Sequence, residues 1–98
     1  MKTLLALIIK PTLEADLCDW LLMHPLVEGF TSQVAFGHGS QHPLTLSEQV
    51  VGKRKQVMIW CEIYNEHLDE LMDTLVKSYS DAGIHFWQIP INASGIIR

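Results

Sequence analysis

Gly37-His38-Gly39-Ser40-Gln41-His42-Pro43-Leu44-Thr45-Leu46-Ser47-Glu48-Gln49-Val50-Val51-Gly52-Lys53 joins two stretches that both read as β-strands. Two neighbouring strands are ordinarily joined by about 2–5 residues, and structureless loops beyond roughly 12–15 residues tend to carry function or to be disordered. The segment opens on two glycines, contains His38 and His42, and leads into the basic run Lys53-Arg54-Lys55. Its length therefore says two things at once: the flanking strands are sequential neighbours, and the connection between them is a candidate for whatever the protein does.

After the segment, Lys55 to Tyr64 alternates, with Val57, Ile59, Cys61 and Ile63 on one face and Met58, Trp60, Glu62 and Tyr64 on the other. Both faces are fairly apolar, which points to contact with another subunit on the second face. Before the segment, Gly29 to Phe36 alternates as well, placing Phe30, Val34 and Phe36 together with Ser32. Leu4 to Ile9 is a continuous apolar run of strand length, as expected of a central strand covered on both sides. It ends at Lys10-Pro11 with no small-residue cleavage site beyond it, so it reads as a strand and not as a signal peptide.

Two helical patterns alternate with these strands. Leu13, Leu17, Trp20 and Leu21 share a face, with Thr12 as the expected N-cap and Glu14 and Asp16 near the positive end of the dipole. His24-Pro25 closes that helix, since proline disfavours helical geometry in the residue before it. Asn65 is the expected cap of a second helix to about Tyr79, whose buried face carries Leu68, Leu71, Met72, Leu75 and Tyr79. Asp81-Ala82-Gly83 turns the chain into a last strand from Ile84 to Ile91, with Pro90 marking an edge or a bulge. The order β-α-β-β-α-β predicts one α+β domain over residues 1–98 with a ferredoxin-like fold: a four-stranded antiparallel sheet with two helices on one face.

Composition narrows the function classes. The chain has 98 residues, 48% of them hydrophobic and only 18% charged, below the usual quarter, so much apolar surface is left for a homo-oligomer to bury. A formal net charge of −4 lacks the basic footprint of a nucleic-acid binder. Cys18 and Cys61 form no CxxC pair and read as buried thiols in a reducing cytoplasm. No run approaches the length of a membrane span. No spacing ties a nucleophile to a base, so catalysis is not expected.

With its order, length and loop position, the chain resembles the PII and PII-like signalling superfamily, which includes the CutA proteins. In PII proteins the corresponding connection is the T-loop, which reaches out to partners and often begins Gly-Phe-Gly-Arg-Gln-Lys-Gly. The matching positions here are Gly37-His38-Gly39-Ser40-Gln41-His42-Pro43, so the resemblance implies a ligand-binding role for Gln41, at the place of the glutamine that helps hold nucleotide and magnesium. A closer resemblance is to an uncharacterised proteobacterial family of PII-like proteins often encoded beside heavy-metal efflux pumps of the RND type. Asp19-Trp20-Leu21-Leu22, Gly29-Phe30-Thr31-Ser32, Gly37-His38-Gly39 and Ser47-Glu48-Gln49-Val50-Val51-Gly52-Lys53-Arg54 carry it. It implies a cytoplasmic homotrimeric regulator with an RND-type transporter as partner and an adenine nucleotide or a divalent transition metal as ligand.

One departure from PII bears on the nucleotide. The turn that holds phosphates there is glycine-rich with a basic residue, whereas Ser80-Asp81-Ala82-Gly83-Ile84-His85 has an acid and no lysine or arginine. An anion would rely instead on Lys53, Arg54 and Lys55, or on backbone amides near Gly37 and Gly39. His38 and His42, with Glu48, are the candidate ligands for zinc, copper or nickel, since neutral imidazole suits these ions. The same residues also read as ordinary polar loop positions, and the basic run as a solvated strand start. His85 reads as a half-buried strand residue or as lining an intersubunit cleft. Trp20, Trp60 and Trp87 read as core or interface packing. A CutA-like metal buffer is the alternative to a regulator.

Overall fold

The computed structural model describes residues 1–38 and 53–98. Strand β1 (Lys2–Ile9) leads through a 3₁₀ turn (Pro11–Leu13) into helix α1 (Glu14–Met23). Strands β2 (Phe30–Gly37) and β3 (Arg54–Tyr64) follow, then helix α2 (Asn65–Tyr79) and strand β4 (His85–Ile91). The sheet order is β2-β3-β1-β4 with every neighbouring pair antiparallel, the ferredoxin-like arrangement expected from the element order. Pro90 sits in β4, an edge strand, where its missing N–H costs no interior ladder bond.

The pleat sorts the sheet into two faces. On one, Leu5, Leu7 and Ile9 of β1 and Val57, Ile59, Cys61 and Ile63 of β3 pack with Leu17 and Leu21 of α1 and Leu71 and Leu75 of α2 to form the core. β2 contributes less than its alternation suggests. Phe30 packs against the core, but Val34 and Phe36 on the same face stay 56% and 50% exposed, because the helix layer covers only the Phe30 end of that strand.

Both expected helix caps are corrected. Thr12 lies inside the 3₁₀ turn, where the Leu13 N–H bonds to the Lys10 carbonyl at 3.0 Å. Pro11 presets the backbone for this tight first turn, and α1 then opens at Glu14 with Leu13 in the cap position and no side-chain cap. Asn65 is the first residue of α2, with Tyr64 in the cap position. Its side chain instead accepts a hydrogen bond from the Thr3 hydroxyl at 2.6 Å, and its N–H donates to the Met1 carbonyl at 3.0 Å. The start of α2 is therefore pinned to β1.

His24 ends α1 in extended geometry, as Pro25 requires, and links the two helices. Its Nδ1 accepts from the Leu26 N–H at 3.1 Å and its Nε2 lies 2.9 Å from the Thr74 hydroxyl, which itself donates to the Leu71 carbonyl. With Nδ1 accepting, Nε2 is the nitrogen that donates to the Thr74 hydroxyl. Gly83 takes φ +68° in the turn before β4, the left-handed region that glycine enters without penalty. Among the described residues no helix is long and apolar enough to cross a membrane.

Candidate functional site

The β2–β3 ladder ends at the pair Gly37–Arg54, so the two stems of the long connection leave the sheet side by side at His38 and Lys53. Here the alternation of β3 divides the basic run. Lys55 lies opposite Phe36 on the helix side, and the Lys53 ammonium sits 4.1 Å from the centre of the Phe36 ring. Arg54 pairs with Gly37 and belongs to the other face. The three cations expected to act together are thus two on one side and one on the other. A Cβ at Gly37 would meet only the end of the flexible Gln56 side chain, which can swing aside. His38 is exposed. Gly39, Gln41, His42 and Glu48 lie outside the described residues, and among the described residues no three metal-ligating side chains converge.

The sheet face turned away from the helices is a second, more apolar feature of the surface. Its rows follow from the pairing register. Trp60 of β3 and Trp87 of β4 both pair with Ala6 of β1, and Ile8 lies between Met58 and His85 in the next row. Leu4 lies between Glu62 and Ile89 on the other side. Ala6 is fully buried between the Trp60 and Trp87 positions. Trp87 and Ile89 remain 46% and 40% exposed. The Trp60 indole N–H donates to Gln33 at 2.8 Å, tying β2 to β3 on this face. His85 is exposed here too, meeting Trp87 edge-on with centroids 5.8 Å apart. Sequence alternation placed Met58, Trp60 and Glu62 on this face. The convergence of Trp60 and Trp87 on Ala6 needed the register of two separate strand pairings.

One end of the same face is polar. Glu62 accepts from the Ser94 hydroxyl at 2.8 Å and lies 3.5 Å from the Lys2 ammonium, which in turn sits 4.8 Å from the Tyr64 ring centre. The segment after β4 is thereby held back against β3, while Ile96 and Ile97 beyond it stay exposed.

Both thiols are held toward the protonated form. Burial, with Cys18 nearby adding to it, pushes Cys61 from 9.0 to about 12. Cys18 is only partly buried, not enclosed as expected, yet desolvation and the charges of Glu14 and Asp19 push it upward as well. A protonated thiol is a poor nucleophile and a poor ligand.

A family model described as "Protein of unknown function (DUF3240)" matches residues 1–98. Among solved structures, the chain is similar to a DUF3240 family protein from Shewanella baltica OS155, with a TM-score of 0.80 at 20% sequence identity. The alignment covers 99% of this chain and 97% of that one, and the likeness is one of fold. No curated protein matches the chain.

Proposed function

The chain belongs to the DUF3240 family, proteins of unknown function, and on that premise we infer that it is a PII-like regulator acting as a cytoplasmic homotrimer. The observation that carries this reading is the apolar sheet face around Trp60, Ala6 and Trp87, left open on the side opposite the helices. A face of this kind is covered at lowest cost by copies that bring the same surface, and the PII resemblance supplies the number three. The long connection rises from the sheet end at Gly37 and Arg54, where assembly brings several copies together. A divalent transition metal or an adenine nucleotide bound there shifts the population of loop conformations, and the loops contact a partner, in this proposal an RND-type efflux system.

The test combines mass and ligand. Light scattering should give three times the 11.1 kDa chain mass. Calorimetry with Zn, Cu, Ni, Co and ATP should find one that binds and that changes the protease sensitivity of residues 39–52. A monomeric mass with no binding by any of them would overturn the proposal. Tight stoichiometric metal binding, lost when His38 and His42 are replaced and without a change in protease sensitivity, would favour a buffer over a regulator.

A further inference from the structure

Away from the sheet and the long connection, the outer side of the helix layer carries a depression of about 460 Å³ between α1 and α2. Three aromatic rings meet at its centre. Trp20 contacts Tyr79 at 5.7 Å with the planes 86° apart, and His24 at 4.9 Å with the planes 51° apart. The rings therefore form inclined walls and not a flat stack. Asp16 and Asp19, one helical turn apart and both exposed, complete the lining with Met23, and no lysine or arginine takes part.

We propose that this depression binds an organic cation, a methylated ammonium or guanidinium group, whether on a free amine or on a side chain of a partner protein. Ring faces carry negative charge density and attract a cation that sheds its water readily, and the carboxylates supply the counter-charge. Every wall is held in the required state. The Tyr79 hydroxyl donates to Asp16 Oδ2 at 2.7 Å, which fixes the carboxylate against the ring. Burial and that bond raise the Tyr79 phenol to about 12, so it remains a donor. His24 has both nitrogens engaged with Leu26 and Thr74, so it offers no lone pair to a metal. An anion would meet two carboxylates, and a neutral apolar group would gain nothing from them.

The test follows the Trp20 indole N–H signal by two-dimensional NMR in the full chain. Tetramethylammonium chloride and a short peptide bearing one trimethyllysine should each produce a saturating shift that sodium chloride at equal ionic strength does not. Tighter binding of the peptide assigns the ligand to a partner protein, and tighter binding of the free ion to a small amine; either supports the site. Asp16→Asn with Asp19→Asn retains the acceptor for Tyr79 and should weaken binding by about fivefold, two partly screened ion pairs being lost. Shifts that grow linearly and match those in sodium chloride would overturn the proposal. That outcome leaves the trimer and its loop untouched, because the depression shares no residue with them.

Discussion

Two side chains show how much a single residue decides here. His24 joins the end of α1 to α2 through Nε2 while Nδ1 takes the Leu26 N–H, and nothing in its sequence neighbourhood announces Thr74, 50 positions away. His24→Ala removes two part-buried bonds and should cost about 1–3 kcal/mol in urea unfolding, whereas His24→Asn, which keeps an acceptor for the Leu26 N–H, should recover part of that loss. Cys61 makes a different prediction. Its thiol is protonated in both folded and unfolded chains below pH 9, so the buried neutral form contributes its full stability there. Between 9 and the folded value of about 12 only the unfolded chain ionises. Stability should therefore fall by up to about 1.4 kcal/mol per pH unit across that window, and Cys61→Ala should flatten the fall. The check is denaturant unfolding at stepped alkaline pH.

At the scale of elements, the strands were legible and the helix starts were not, for a physical reason. Alternation in β3 is a local property, and it correctly separated Val57, Ile59, Cys61 and Ile63 from Met58 and Trp60. Capping looks local too, yet Asn65 was drawn away by Thr3, a partner 62 positions distant that only the β1–β3 pairing brings near. A double-mutant cycle on Thr3→Val and Asn65→Ala should give a coupling of about 1 kcal/mol; a cap would give an Asn65 effect independent of Thr3. The same distinction governs the sites. Gly37, His38 and Lys53 were correctly placed at the stems, because a loop's ends are fixed by its strands. The division of Lys53, Arg54 and Lys55 between two faces follows from pleat parity once the strand starts at Arg54. The aromatic depression was beyond sequence reading, since Asp16 and Tyr79 are 63 positions apart and meet only through helix packing.

At the scale of the whole molecule, the two outer layers differ in kind. The helices carry Glu14, Asp16, Asp19, Glu66, Asp69, Glu70 and Asp73 against a lone Lys77, while the far side of the sheet is largely apolar. Like-charged helix layers repel one another, so in the proposed assembly the sheet faces are the ones that associate. Trp87→Lys on the exposed edge strand should accordingly shift sedimentation toward lighter species while the circular dichroism of the fold persists. The row Trp60–Ala6–Trp87 has a consequence of another sort. Two indoles stand on either side of one small residue, about 10 Å apart across two strand spacings. At that range their electronic transitions couple, so the near-ultraviolet spectrum of the untouched protein should change whenever this face is covered or uncovered. The proposed assembly would thus carry its own optical gauge, with no dye to attach.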